Sequence, residues 1–499
     1  MPGIKLNDVI DVQITAVTPE GDGVGYCRDA GEESLKKIFC FGASAGETVK
    51  ARVTKVSRSY LVARPLRRTV TDKCASYPEC GGCSLLHFSY EETLRIKEQF
   101  VADCLERIGG CRGFKLSPII PSPRVSGFRN KTIYRFAVQN GRVISGFFRR
   151  GSHEVVDASE CNSEHPVSRK IAKAICEIWQ SRRLSIYDEQ KGTGLLRALM
   201  VRVSGNTGKA MVCICINASG FPGKEAVAQS LAEACPEVVS VFINVNRTRG
   251  NTIMGDEFKL VRGETVLRDN IGNAVFDIPP EAFFQVNPGA AELLYRKALS
   301  FAEQGASPGH AKAPILDIYC GIGTIGTYFA KNSKAFGDIL GVEWTPGACA
   351  AADSNVRLNG LDVRCRYLPG DAGKVIGDLL EGGPGNADSE AAELLRSAET
   401  AVIDPPRKGL DGKMPELLTS LKLKKIVYVS CNPSTLARDA ARFRELGWEL
   451  VEVCPVDMFP FAGHVESIAL LQRMSNTRSK EITLDVDMED YRRIKSEGR

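Results

Sequence analysis

Hydrophobic and polar positions change rhythm three times along the chain. The first 66 or so residues read as short strands: Val9 to Val17 alternates apolar and polar residues, and Val49 to Val56 and Tyr60 to Ala63 are strand-like. Gly21-Asp-Gly-Val-Gly25 supplies a turn-rich stretch between them. Short strands with glycine turns at this length predict a small barrel. Glu91 to Ile108 has helical spacing, with Leu94, Ile96, Phe100, Val101, Cys104 and Leu105 on it. From 130 to 290, strands (Ala210 to Asn217, Val239 to Asn244) mix with helices (Pro166 to Arg182, Lys224 to Ala234). Beyond about 270 the pattern alternates strand and helix. Its strands are Ile315 to Tyr319, Ile339 to Glu343, Ala401 to Ile403 and Ile426 to Val429. That alternation predicts a doubly wound parallel sheet, an α/β domain. Gln304 to Pro314 and Glu381 to Asp388 read as loops. Ile482 to Met488 alternates with period two, as an added edge strand would.

Bulk composition narrows the classes. The 499 residues allow two to four domains, and 43% hydrophobic residues give each an ordinary core. No apolar run approaches the ~18 residues of a membrane span, and MPGIKLNDVI carries no signal-peptide pattern. A cytoplasmic protein is expected. Its 17 cysteines are then reduced thiols or ligands rather than disulfides. The net charge of +5 is mild but unevenly spread. Lys50 to Arg68 holds seven Lys/Arg and no acid. Arg124 to Arg150 holds another seven and no acid, with Phe128, Tyr134, Phe136, Phe147 and Phe148 among them. Basic groups neutralise phosphates and aromatics stack unpaired bases, so these runs point to RNA, single-stranded or in loops.

Four strand ends carry candidate chemistry. Ile315 to Gly326, ILDIYCGIGTIG, places Gly321, Gly323 and Gly326 where a strand gives way to a helix. The spacing fits a dinucleotide as well as S-adenosylmethionine. Glu343, ending the next strand, can accept hydrogen bonds from both ribose hydroxyls, or merely cap the following helix. Asp404-Pro-Pro-Arg407 follows Ala401 to Ile403 and resembles the turn of methyltransferases acting on planar nitrogen or carbon. Cys431, in SCNP, lies just past the adjacent strand. Ligands of open parallel sheets bind at the carboxyl ends of the strands, so these residues should share one crevice. There a thiolate can add to C6 of uracil and make C5 electron-rich enough to take a methyl group. A base must then remove the C5 proton. Glu466 lies within an otherwise apolar run and is the candidate base; His464 is its rival.

Five stretches carry a resemblance: FFQVN (283–287), DIYCGIGTIG (317–326), DPPRKGL (404–410), YVSCNPSTLARD (428–439) and DMFP…HVES (457–467). Together they resemble the RNA 5-methyluridine methyltransferase family over nearly the whole chain. The resemblance implies Cys431 as nucleophile and Glu466 as proton acceptor. It implies Gln285, Tyr319, Glu343 and Asp404, beside the glycine turn of Gly321 and Gly323, as S-adenosylmethionine contacts. The sequence departs from the family at Phe461-Ala-Gly463, where a polar residue and a threonine commonly follow the proline.

Cys74, Cys80 and Cys83 form C-x5-C-x2-C, and Cys161, in a polar loop, is the best fourth ligand. Four thiolates suit zinc or an iron–sulfur cluster. The resemblance implies a [4Fe–4S] cluster bracing an RNA-binding domain. It also implies a TRAM domain, OB-like, over 1–66, a central α+β domain with the cluster over 67–268, and a Rossmann-like methyltransferase domain over 269–473. A tail, 474–499, follows, and helix 91–108 is placed to dock on the catalytic domain. Barrel and cluster together resemble the bacterial 23S rRNA branch, with tRNA as the alternative substrate. A monomer without membrane contact is expected. An oxidoreductase built on GIGTIG, or an RNA-binding protein with a dead catalytic domain, are the remote alternatives.

Overall fold

The computed structural model describes residues 4–474 except 29–34, 68–70, 72, 251, 306–312, 362 and 383–388. The alternating strand of the tail, and most of the two loops read at 304–314 and 381–388, lie outside the described residues.

The N-terminal strands Val9–Val17, Asp22–Arg28, Leu35–Phe41, Thr48–Val56 and Tyr60–Pro65 close into a barrel. Inward residues such as Val12, Ile38, Val49 and Leu61 fill it. A seven-stranded central sheet follows, ordered Glu257–Gly263, Val238–Val245, Ala210–Ile216, Leu196–Val203, Lys131–Gln139, Arg142–Phe148, Val155–Asp157. Here one sequence reading needs correction. Tyr134 and Phe136 face a core with Ile171 and Trp179, and Phe128 is buried too. The interleaving of aromatic and basic residues in 124–150 is mostly the inside–outside alternation of a strand. Several of its cations are also spoken for: Arg149 pairs with Glu79 and Glu154, and Arg150 with Asp22.

The third layer is an eight-stranded sheet. Its order is Cys365–Pro369, Phe336–Glu343, Ala313–Ile318, Thr400–Ile403, Lys425–Ser430, Glu466–Arg473, Trp448–Val456, Lys115–Leu116. The first five strands run parallel; Glu466–Arg473 runs antiparallel to both its neighbours. Buried on both faces, the four inner parallel strands are nearly continuous apolar runs, as such a sheet requires, while the edge strand Cys365–Pro369 is partly exposed.

Residues 90–120 join this layer. Helix Tyr90–Asp103 is capped by Ser89 and widens into a π turn, Cys104–Ile108, at its end. Val101, Cys104 and Leu105 share a core with Leu316, Tyr428 and Phe443. On the same helix, Lys97 is fully buried and donates to Asp457 at 2.5 Å and to the Phe459 carbonyl at 2.8 Å. Asp457 also accepts from Tyr90 at 2.8 Å. Removing one partner of a buried pair strands the other charge, at about 3–5 kcal/mol. Lys97→Met is expected to lower unfolding free energy by about that amount in urea titration. An unchanged midpoint would show that the pair does not hold the 457–464 loop.

Candidate active site

The parallel strands deliver their carboxyl ends to one cavity of about 710 Å³. Gln285, Tyr319, Gly321, Glu343, Asp404, Cys431 and Glu466 all line it. So does His464. Gly323 does not. It starts helix Thr324–Asn332 at φ 73°, and a Cβ there would stand 2.9 Å from that of Ala352. It keeps the loop close to its neighbours rather than touching the cavity.

Local chemistry sets each position. Past Ile318 the chain turns at Tyr319, whose φ of 64° is rare for a bulky side chain and redirects the backbone into the glycine turn. The Glu343 carboxylate receives the N–H of Gly321 at 3.2 Å and of Thr345 at 3.1 Å. That ties two strand ends together. Gln285 is fixed by its backbone, with its carbonyl accepting from the Asn130 amide at 3.1 Å.

Asn432 caps helix Pro433–Glu445 by accepting from Ser434 N–H at 3.1 Å, with proline in the first turn. Its amide donates to the Arg407 carbonyl at 3.2 Å, so the Cys431 turn and the Asp404-Pro-Pro-Arg407 turn hold each other. Ser430 pairs with Ser467 on the antiparallel strand. Cys431 directly follows Ser430 and Glu466 directly precedes Ser467, so the last pair of this ladder brings both to the same cavity.

The electrostatics are those of buried acids with one nearby guanidinium, Arg407, which lines the same cavity. Burial pushes Glu466 up to about 8, with Asp404 adding to the rise and Arg407 opposing it. Burial likewise pushes Asp404 up to about 7, with Asp317 adding to it. Asp317 itself rises to about 7 by burial, although one of its oxygens accepts from Gly326 N–H at 2.8 Å. Cys431 is pushed up to about 11 by burial and then by Glu466 and Asp404, against Arg407. Burial, Arg407 and Lys97 lower the pKa of His464.

The three raised acids have a consequence for stability. Unfolded, they release protons near pH 4. Folded, they keep them to about pH 7 or 8. In that window the unfolded chain binds fewer protons, so stability falls as pH rises and levels off above about 8. Thermal melts of ligand-free protein should show a shallower fall between pH 5 and 8 in Glu466→Gln than in wild type. Parallel curves would contradict the raised value.

A second groove, of about 440 Å³, reaches Cys431 from the barrel side. It is lined by Phe41, Cys83, Arg150, Arg407, His464 and Cys431 among others. Arg407 was not singled out in the sequence, although DPPR displays it. Nor were Phe283 and Trp344, 65% and 72% exposed at the larger cavity. Phe283 opens the FFQVN stretch and Trp344 directly follows Glu343, which was the available signal.

The described family model for tRNA (uracil-5-)-methyltransferases matches residues 229–474, and that for the TRAM domain matches residues 5–66. An uncharacterized RNA methyltransferase of Halalkalibacterium halodurans is 36% identical over 479 residues, covering 94% of this chain and 98% of the relative. The chain belongs to the tRNA (uracil-5-)-methyltransferase family. A second relative, from Caldanaerobacter subterraneus, is 35% identical across 95% of this chain and 100% of its own. It too bears the name of an uncharacterized RNA methyltransferase. Among solved structures, the Pyrococcus abyssi tRNA (uracil-54, C5)-methyltransferase in complex with S-adenosyl-L-homocysteine matches with a TM-score of 0.68 and 25% identity. It covers 93% of this chain and 100% of that one. The protein is thus an S-adenosylmethionine-dependent RNA (uracil-5-)-methyltransferase of mixed α/β fold with an N-terminal TRAM barrel. No helix among the described residues is long and apolar enough to cross a membrane.

Cys74, Cys80, Cys83 and Cys161 of this methyltransferase line one cavity of about 390 Å³, and all four are free thiols. Burial pushes Cys80 up to about 11 and Cys83 up to about 12. Arg129 and Lys131 line the same cavity, and the buried Glu164, itself pushed up to about 7, adds to the rise at Cys80 and Cys161. Among the described residues, no group of three or more His, Cys, Asp or Glu side chains is placed to hold a metal ion. The Phe461-Ala-Gly463 departure serves packing. The Phe461 carbonyl accepts from Leu85 N–H at 2.9 Å, and its ring lies 4.8 Å from the Lys73 ammonium. A Cβ on Gly463 would strike the Pro19 carbonyl at 2.0 Å, so this segment seats the barrel and the cysteine loop against the catalytic layer.

Proposed function

We propose that this methyltransferase methylates C5 of an unpaired uridine in 23S rRNA through a transient bond between Cys431 and C6. The observation carrying this is that Cys431, Glu466 and Asp404 share a single cavity with the glycine turn and Glu343. A uridine in a duplex is out of reach of a half-buried thiol, so the target is presented flipped out.

The Cys431 sulfur adds to C6 as the thiolate, and the ring's electron density shifts to C5. When bound, S-adenosylmethionine supplies an electrophilic methyl on a sulfonium cation, whose positive charge favours the ionised form of the two buried acids. C5 forms its new bond to the methyl carbon as the carbon–sulfonium bond breaks. Glu466, as carboxylate, takes the C5 proton; the C6–sulfur bond then breaks and returns the thiolate. Asp404 faces cofactor or base from the rigid Pro405-Pro406 edge. Glu343 holds the ribose and Gln285 and Tyr319 line the remainder. His464, its pKa lowered by burial and nearby cations, is the poorer proton acceptor.

The four cysteines are proposed to hold a [4Fe–4S] cluster. Four free thiols around one cavity, with Arg129 and Lys131 lining it beside them, fit a thiolate-bound cluster of net negative charge. The cluster would brace the loops of the RNA-binding domain, with no part in methyl transfer. Protein purified without oxygen should contain about four iron and four sulfide per chain. One zinc and no sulfide would overturn this.

A second reading, the same chemistry on tRNA, is favoured by the likeness to the Pyrococcus abyssi enzyme. Mass mapping of 5-methyluridine in rRNA and tRNA from cells with and without the gene separates them. The rRNA reading requires a 23S position that loses its methyl group; loss confined to tRNA would replace it.

A further inference from the structure

One wall of the large cavity is held from outside the catalytic layer. Ala282, Phe283, Gln285 and Val286 line the cavity from a segment between strand Ala274–Ile278 and helix Pro288–Glu303. That segment forms no helix or strand of its own. Its carbonyls are taken up by the central sheet instead. Arg202, on strand Leu196–Val203, is fully buried. Its guanidinium donates to the Pro279 carbonyl at 3.1 Å and to the Ala282 carbonyl at 2.5 Å. Asn130, just before the neighbouring strand Lys131–Gln139, donates its backbone N–H to the Val286 carbonyl at 2.8 Å. Its side-chain amide donates to the Gln285 carbonyl at 3.1 Å. The two clamps are themselves joined. Val203 N–H donates to the Asn130 carbonyl at 2.7 Å, and Arg202 stands in register with Lys131. A buried guanidinium is costly unless its charge is answered. Among the described residues Arg202 makes no ion pair; Glu281 and Asp269 act on it as more distant charges. Burial lowers its pKa to about 10, so it stays charged near neutral pH. An apolar side chain would fill the same space without that cost. What an apolar side chain lacks is the rigid fork that holds two carbonyls at once.

We propose that Arg202 and Asn130 are positioning residues for the cofactor: from the central sheet they hold the 279–286 segment so that the Gln285 side chain stands where it meets S-adenosylmethionine. Neither residue lines the cavity, so each acts through the backbone of Gln285 and its neighbours. A contact group on an irregular segment keeps its place only when a second set of hydrogen bonds fixes the segment. The central sheet thereby sets cofactor affinity. The inference rests on the reading of Gln285 as a cofactor contact.

The test uses the full-length enzyme. Calorimetry gives the Kd for S-adenosylhomocysteine, and methyl transfer across S-adenosylmethionine concentrations gives KM and kcat. Variants are compared at a temperature where circular dichroism shows them folded. Arg202→Met should raise Kd and KM at least about tenfold, the scale of losing one hydrogen bond from a charged group. Its kcat at saturating cofactor should stay within about threefold of wild type, because the residue does not touch the reacting atoms. Arg202→Lys, which keeps the charge but not the fork, should fall between. Asn130→Ala removes a neutral donor and should show the same split; it carries the test if Arg202→Met does not fold. An unchanged KM in the folded variants, or a loss confined to kcat or to melting temperature, shows a purely structural role and overturns the proposal. Gln285→Ala is the reference and should raise KM as well. If it does not, the reading of Gln285 fails, and the proposal falls with it.

Discussion

Replacing Cys431 with alanine is expected to reduce methyl transfer by about 10⁴-fold or more, the scale of losing a covalent nucleophile. Uracil C5 is a poor nucleophile until sulfur adds at C6. The remaining groups in the cavity can hold the reactants, but none can make that carbon electron-rich. Burial and two neighbouring acids push the thiol up to about 11, so serine, with a far higher pKa, should be no better than alanine. The variant should still bind RNA and S-adenosylhomocysteine with wild-type affinity, because Cys431 bears no part of the fold. Its turn is held by Ser430 and Asn432, whose hydrogen bonds do not involve the sulfur. Transfer of tritium from labelled methyl donor, measured beside RNA binding, distinguishes a lost nucleophile from an unfolded site. Undiminished transfer would remove the mechanism.

The second large effect falls at Glu466. Glutamine there retains the shape of the side chain but, as an amide, cannot accept the C5 proton. Addition and methylation should proceed once, after which the enzyme stays joined to its RNA. A denaturing gel should show a slow-migrating species that depends on S-adenosylmethionine and disappears in the Cys431→Ala, Glu466→Gln double variant. Turnover should fall by about 10²–10⁴-fold, the usual contribution of a positioned base. Free protein alone on the gel would move the role elsewhere, with His464, which lines the same cavity, the next candidate.

The cavity was legible because its chemistry sits at strand ends. Apolar runs marked the strands, and Gly321, Glu343, Asp404 and Cys431 each followed one of them. What escaped the sequence depended on partners far along the chain. Nothing local to the helix marks Lys97 as buried; its partner, Asp457, lies 360 residues further along the chain. Gly323 reads as a ligand contact, whereas the approach of Ala352 explains it. The basic run at 124–150 looked like an RNA face because the acids that answer Arg149 and Arg150 lie at Glu79, Glu154 and Asp22.

The most direct test is to give wild-type enzyme and S-adenosylmethionine an RNA with 5-fluorouridine at the target position. Fluorine at C5 leaves no proton to remove, so the adduct cannot resolve. Mass spectrometry of the digested complex should find a methylated 5-fluorouridine nucleotide attached to the peptide that contains Cys431. Attachment at another residue, or no attachment while the unfluorinated RNA is methylated, would contradict the account.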